Sequence, residues 1–339
     1  MVELAKKLSK DILYVQGAGG NLSWKKDGVL WVKASGKWMA NLEMENSFVA
    51  VDLELAQNVE DVKLLSHLGV TKEGSILKPS IETSLHAVMP QRFVIHLHHV
   101  KSIVELVGFN SKKRLCDLPG LKNWGFIEYQ QPGYQLCQKV KRYLSQNPNC
   151  DRLFLANHGI VVGSDTVKGI EEKLIALDGA LGTIQKEQQI VHYDPDFAFL
   201  GTNFRMPNGV EYRQSKSTVF HYLVRDVSLL SRLRNNWPLY PDHVVFLGKI
   251  PSIVEPSELR SRKVYFPVTE RLPFLFVPHH GVLERVDIQQ SEVEQLQCYY
   301  EVISRILPGE KLVTLSEKEV DKLLNWDAEK YRLRITPEN

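Results

Sequence analysis

Apolar residues recur with periods that change along the chain, and the changes mark out its elements. Residues 3–15 set Leu4, Ile12 and Leu13 among charged residues at helical spacing, which predicts a helix ending before Gly17-Ala-Gly-Gly20. Asn21-Leu-Ser-Trp24 follows this glycine turn. Val29-Leu-Trp-Val32 and Phe48-Val-Ala-Val-Asp52 then read as strands around a turn at Ala34-Ser-Gly36, the opening of an antiparallel arrangement. Lys78-Pro79 ends an extended segment, and Ser80 is the expected N-cap of a short helix through Ile81, Leu85, Val88 and Met89. Glu82 falls in the first turn of that helix, at the positive end of its dipole, with His86 over the same face. Beyond the apolar strand Phe93-Val-Ile-His-Leu-His-His-Val100, a helix is expected at Lys101–Val107, irregular chain at Leu115–Gly133, and an amphipathic helix at Gln135–Leu144. A buried strand at Leu153-Phe-Leu-Ala156 and a longer helix at Val167–Gln185 complete a layered α/β pattern.

The stretch His192–Ser217 is polar and without clear period, so the linker is placed at 192–217, dividing a unit at 1–191 from one at 218–339. A chain of 339 residues supports such a division, because single cores seldom grow past about 250–300 residues. The second unit is read as smaller and α/β. It holds a Leu-rich helix at Val219–Leu233, strands at Val244-Val-Phe-Leu247 and Phe274-Leu-Phe-Val277, a helix from Ser291, and a last helix opened by the capping box Ser316-x-x-Glu319. That last helix carries Val320, Leu323, Leu324 and Tyr331 on one side. Leu153-Phe-Leu-Ala-Asn-His-Gly-Ile160 and Leu275-Phe-Val-Pro-His-His-Gly-Val282 can be laid over one another, a hint of an internal repeat whose second copy lacks a His-x-His strand.

Composition narrows the function classes. Lys and Arg number 42 against 40 Asp and Glu, and no basic block is interleaved with aromatics, which argues against nucleic acid as a partner. The four cysteines, at 116, 137, 150 and 298, have no C-x-x-C spacing and read as reduced thiols. The N-terminal segment has no secretory apolar core, and no apolar run approaches the ~20 residues of a membrane span. The expectation is a cytoplasmic protein without a membrane partner.

The chemistry is carried by histidines. Side chains alternate across a strand, so His96 and His98 project to the same side, near enough to share one metal ion. His158, in Asn157-His-Gly159, is the third candidate ligand, and three imidazoles with one open position are the donor set of a catalytic divalent ion. Two half-buried histidines on a strand are also a common packing feature, and each supporting residue has a plain role too. Gly17, Gly19 and Gly20 suit a tight turn, Ser35-Gly36 a hairpin corner, and Ser80 an N-cap. His99 faces the other way and is read as packing, His86 as a hydrogen-bonder beneath the site. Trp24, Trp31 and Trp38 are read as core or subunit contacts. His67, His192, His221 and His243 have no partners in sequence.

Five short motifs in order, Gly19-Gly-Asn-Leu-Ser23, Lys33-Ala-Ser-Gly36, Pro79-Ser-Ile-Glu-Thr-Ser-Leu-His86, His96-Leu-His98 and Leu155-Ala-Asn-His-Gly159, resemble the class II aldolase/adducin family over about residues 10–190. Tyr129-Gln-Gln-Pro-Gly133, Tyr240-Pro-Asp-His243 and Asn325-Trp-Asp-Ala-Glu329 resemble, more loosely, the aldolase half of bifunctional rhamnulose-phosphate aldolase/dehydrogenases. The resemblance implies a three-layer α/β/α domain with a central, mainly antiparallel sheet, followed by the smaller C-terminal α/β unit of unknown role. It implies that His96, His98 and His158 hold a divalent metal, with zinc first and manganese, cobalt or iron as alternatives. Glu82 would be the acid/base or a displaceable fourth ligand, and Asn21, Ser35, Gly36 and Ser80 would hold a substrate phosphate. The activity implied is a metal-dependent lyase acting on a sugar or sugar phosphate through a stabilised enediolate, in a homotetramer. A metal-dependent epimerase, dehydratase or decarboxylase, or a non-catalytic adducin-like scaffold, are the alternatives.

Departures from the family pattern concern substrate rather than metal. Family aldolases carry Ser-Ser before the glutamate where this chain has Ser80-Ile81, removing one phosphate donor. The segment Arg114–Gly120 has no tyrosine where fuculose-phosphate aldolases supply one, and Lys25 stands where Arg is usual. Gly17-Ala-Gly-Gly20 is not a dinucleotide fingerprint.

Overall fold

A computed structural model describes residues 1–58, 77–182, 203–206, 208–261, 271–307, 309–327 and 329–330. Strands β1 (Asn21–Lys26), β2 (Val29–Lys33), β3 (Phe48–Asp52), β4 (Phe93–Leu97), β5 (Trp124–Ile127), β6 (Arg152–Leu155) and β7 (Gly159–Ser164) form one sheet, in the order β3-β2-β1-β4-β7-β6-β5. Every pairing is antiparallel except β5 with β6. The alternation along β4 explains the layers. Ile95 and Leu97 point into a core with Leu22, Ile160 and Val162 under the helices Val2–Leu8 and Val167–Leu181. Val94 points the opposite way, into a core with Leu85 and Val140 of the helices Thr83–Val88 and Tyr134–Gln146. This is the three-layer α/β/α domain that the motifs imply.

A second, smaller sheet follows. It joins β8 (Asn203–Arg205), β9 (Glu211–Gln214), β10 (Phe274–Val277) and β11 (Gly281–Arg285) in the order β10-β11-β9-β8, all antiparallel. Helices Thr218–Arg225, Val227–Asn235, Pro241–Leu247 and Gln290–Ile303 pack with it around a core. That core also takes in Val100, Ile103, Val104 and Val107, so the helix Val100–Leu106 of the first unit is buried in the second. The two halves share apolar interior, and Asn157 ties them further: its amide donates to Leu239 O at 2.9 Å and Val313 O at 2.8 Å.

Several elements depart from the pattern read along the chain. The first helix is Val2–Leu8, and turns carry the chain on to Gly17. Within Leu115–Gly133, expected to be irregular, β5 forms the edge of the main sheet. Strand β7 is likewise missing from that pattern, because its apolar run directly follows the His158 turn. Residues 203–205 and 211–214 of the expected linker are β8 and β9, with Phe204, Met206 and Tyr212 buried; the alternation is there, diluted by polar neighbours. Residues 192–202 of that linker lie outside the described residues, as do His67, His192 and Tyr331. The Leu-rich helix is two helices, broken at Asp226, whose side chain caps the second by accepting from Leu229 N. Val244–Leu247, read as a strand from its β-branched pair, is the end of a fully buried helix: Pro241 takes the first helical position, where its missing N–H costs nothing. Burial all round removes the amphipathic period that distinguishes a helix. The capping box at Ser316 forms as expected, with Ser316 accepting from Glu319 N.

The repeat read from the sequence has a structural counterpart. β6–β7 and β10–β11 are hairpins of matching register, pairing Leu155 with Gly159 and Val277 with Gly281. Both turn through a left-handed residue at the same point, Asn157 at φ 52° and His279 at φ 63°.

The second core contains His243, whose two ring nitrogens have no hydrogen-bond partner among Trp237, Tyr240 and Tyr299. Burial pulls its pKa down to about 3, and burial chiefly pulls His221 down to about 4. Both are neutral in the folded chain near pH 7, whereas the unfolded chain protonates them below about 6.5. The unfolded state then binds more protons, so stability is lost as the pH is lowered, by up to ~1.4 kcal/mol per pH unit for each group. Denaturant unfolding at pH 7, 6 and 5 should show a joint loss on the order of 3–4 kcal/mol over that range, and His243→Phe should remove about half of the slope. An unchanged slope in His243→Phe would contradict this assignment.

Candidate metal centre

The site assembles at one end of the main sheet. His96, near the end of β4, has Asn21 of β1 as its partner on one side and Val161 of β7 on the other. His98 lies just past the strand, and His158 lies in the turn between β6 and β7. The three imidazoles, all buried, place one ligand nitrogen each within 4.8 Å of one another. Ring centroids are 4.7 to 5.3 Å apart.

Glu82 approaches from the helix layer. It occupies the N-cap position of the helix Thr83–Val88, and Ser80 Oγ accepts from its backbone N–H at 3.2 Å. The cap therefore sits two residues beyond the one expected, and Ser80 instead secures the preceding turn. One Glu82 oxygen lies 3.5 Å from His96 Nε2 and the other 3.6 Å from His158 Nε2. Asn21 donates its amide to Glu82 Oε2 at 2.9 Å, which orients the carboxylate.

Local geometry prepares these groups. His96 donates from Nδ1 to Ile160 O at 2.9 Å, which leaves the lone pair on Nε2, facing Glu82. Burial is the largest influence on the His96 ring and lowers its pKa against the opposing pull of Glu82, which favours the neutral form a metal requires. His96 Nε2 and Glu82 Oε1 are buried without a hydrogen-bond partner. Orphaned polar atoms of this kind are costly unless something else satisfies them. Two lone pairs aimed at one point beside further imidazoles fit a divalent cation. Gly20, at φ 67°, passes close to the strand: a Cβ there would lie 2.9 Å from His96 O.

The cleft beside the imidazoles is lined by Ser35, Gly36, Ser80 and Asn21, the residues that the motifs assign to phosphate. Ser35 N is engaged with Lys78 O at 2.9 Å, so Ser35 offers its hydroxyl. Three residues lining the same cleft have no role assigned from the sequence. Lys33, inside the Lys33-Ala-Ser-Gly36 motif, is buried and donates to Lys37 O at 2.6 Å. Asp242 and Glu329, both buried, reach the cleft from the second half of the chain. Their motifs, Tyr240-Pro-Asp-His243 and Asn325-Trp-Asp-Ala-Glu329, are visible in the sequence, but nothing local shows which of their residues faces the site.

Other histidines are accounted for elsewhere. His86 Nδ1 meets Ser23 Oγ at 2.8 Å beneath the site, and His99 lies between Ser102 and Asp178 on the far side of the strand.

The sequence profile described as the class II aldolase and adducin N-terminal domain matches residues 1–183, more than half of the chain. The chain belongs to the class II aldolase and adducin family. Its individual relatives are distant. The protein named uncharacterized oxidoreductase YuxG of Bacillus subtilis (strain 168) is 27% identical over 210 residues, which are 57% of this chain and 29% of that protein. The chain thus spans less than a third of the length of this relative. Among solved structures, the N-terminal class II aldolase domain of a conserved protein from Thermoplasma acidophilum is 24% identical with a TM-score of 0.47, over 53% of this chain and 89% of that one. A sugar-phosphate aldolase from Thermotoga maritima is 13% identical with a TM-score of 0.39, over 53% of this chain and 92% of that one. In this family member the three imidazoles and Glu82 lie inside the matched segment, while Asp242 and Glu329 lie outside it.

Proposed function

We propose that this protein is a metal-dependent lyase that cleaves or forms a C–C bond in a sugar or sugar phosphate. The observation that carries the reading is the cluster of three buried imidazoles whose ligand nitrogens lie within 4.8 Å of one another, with the two oxygens of Glu82 beside His96 and His158 and with His96 Nε2 and Glu82 Oε1 left unsatisfied by the protein. A scaffold has no use for such an arrangement. His96, His98 and His158 would hold the ion, zinc being the first choice for an all-imidazole set with an open position. Bound there, a divalent ion supplies Lewis acidity for the negative charge that develops on substrate oxygens as the bond breaks.

The chain's own groups do the rest. Glu82, held by Asn21, is the base that removes a hydroxyl proton and returns a proton to carbon. The Lys33 ammonium, with the Ser35 and Ser80 hydroxyls, binds the anionic end of the substrate. Burial of the imidazoles excludes bulk water and strengthens these contacts.

A second reading, epimerisation or decarboxylation of a sugar acid, is favoured by Ile81 and Lys33 together. An aliphatic side chain replaces one phosphate donor in the cleft, and an ammonium accepts a carboxylate as well as a phosphate.

The test is elemental analysis of the purified protein, followed by a screen of ketose phosphates and sugar acids for aldehyde release. About one Zn, Mn, Co or Fe per chain and retro-aldol cleavage of a ketose phosphate are expected. Metal without cleavage, but with carbon dioxide release or inversion of a sugar carbon, would move the assignment to the second reading. Absence of metal even after reloading would sink both.

A further inference from the structure

His98 is held from the far half of the chain. Its Nδ1 lies 3.2 Å from Asp242 Oδ2, in the first turn of the helix Pro241–Leu247. The same carboxylate oxygen accepts from Gln295 Nε2, on the helix Gln290–Ile303, at 3.5 Å. Asp242 is 3% exposed and Gln295 1%, so neither can swing into solvent. The glycine turn closes over the pair. A Cβ on Gly19 would lie 2.9 Å from His98 Nδ1, 3.0 Å from Asp242 Oδ2 and 2.8 Å from Gln16 O, so any side chain there would displace one of them.

A carboxylate facing Nδ1 draws the ring hydrogen to that nitrogen and leaves the lone pair on Nε2. His96 reaches the same tautomer through Ile160 O, a group of its own sheet. The two neighbouring imidazoles are thus oriented by different means, one by the sheet and one by a residue more than a hundred positions downstream.

We propose that Asp242 is a positioning residue of the metal centre, supplied by the second half of the chain, which fixes the ring and tautomer of His98 so that Nε2 is presented to the cation. The inference rests on the metal-site reading above. It gives the second half of the chain a role in the site, because residues 1–183, which carry the family match, contain the ligands but not this support. It also accounts for Pro241 and Asp242, at the start of a helix otherwise packed within the second half, lining the cleft.

The experiment is Zn2+ affinity of the full chain by competition with a chromophoric chelator, together with the visible spectrum of the Co2+-substituted protein. Asp242→Ala should raise the Zn2+ dissociation constant about 10–100-fold and shift the Co2+ bands. Asp242→Asn, whose carbonyl oxygen still accepts from Nδ1, should recover part of the loss. Val245→Ala, a packing change in the same helix, should leave affinity and spectrum near native. Both Asp242 variants binding within about twofold of native, while His98→Ala loses the metal, would overturn the role of Asp242 and leave the metal centre standing. Val245→Ala weakening the metal as much as Asp242→Ala would overturn it in favour of general packing. Failure of the native chain to bind any of these ions would remove the metal reading and this inference together.

Discussion

His96→Ala should release the metal and abolish turnover. The ring is fully buried in the middle of the sheet, with Nδ1 committed to Ile160 O and Nε2 pointing toward Glu82. Removing it leaves two imidazoles where three are needed for a stable open site. If the Lewis acid supplies about 4 kcal/mol of transition-state stabilisation, its loss lowers kcat/KM roughly a thousandfold. The substitution also strands the Ile160 carbonyl and opens a cavity, at a cost of about 1–3 kcal/mol for the unsatisfied group. A His96→Gln variant and a thermal melt accompany the assay, so that loss of metal is separated from loss of fold. Full activity in a folded, metal-free His96→Ala protein would sink the site assignment.

Glu82→Gln should behave in the opposite way, keeping the metal while losing the chemistry. Glutamine preserves shape and an oxygen to accept the Asn21 amide now 2.9 Å from Glu82 Oε2. It removes the negative charge and the proton acceptor. General acid–base assistance contributes about 10²–10⁴-fold, so kcat should fall by that factor with KM changed far less. Metal content measured on the same preparation distinguishes the two roles open to this carboxylate. Loss of metal along with activity would identify Glu82 as a ligand, and native kcat in the variant would remove it from the mechanism.

Both predictions concern residues found in the linear sequence, and the reason is the nature of the signal. His96 and His98 stand on one short apolar strand, where alternation alone sends them to a common face. The Asn157-His-Gly159 turn is legible because its backbone is unusual: Asn157 is left-handed at φ 52°, and a Cβ on Gly159 would lie 2.3 Å from Leu97 O. The hairpin repeat is visible for a similar reason, since a left-handed residue at the same place in two turns leaves a shared His-Gly signature.

Elements whose identity depends on their surroundings are harder to read. Val244–Leu247 has a β-branched pair and an apolar run, but tertiary burial on every side makes a helix of it. Strands β8 and β9 are hidden in a polar stretch because only one face of each is covered. Asp242 and Lys33 sit inside motifs that give them no role. A carboxylate after a proline, or a lysine at the end of a strand, is ordinary until its neighbours are known.

The sequence by itself determined the local facts: a strand that projects two imidazoles together, glycine turns that allow close approach, a glutamate at a helix start, and capped helices. Tertiary structure alone decided that Glu82, His158 and Asp242 meet those imidazoles, and that the helix Val100–Leu106 joins the core of the second half. The reason is physical. Period and turn chemistry act over a few residues, whereas the meeting of distant groups is set by which apolar faces bury against one another, and no local pattern encodes that choice.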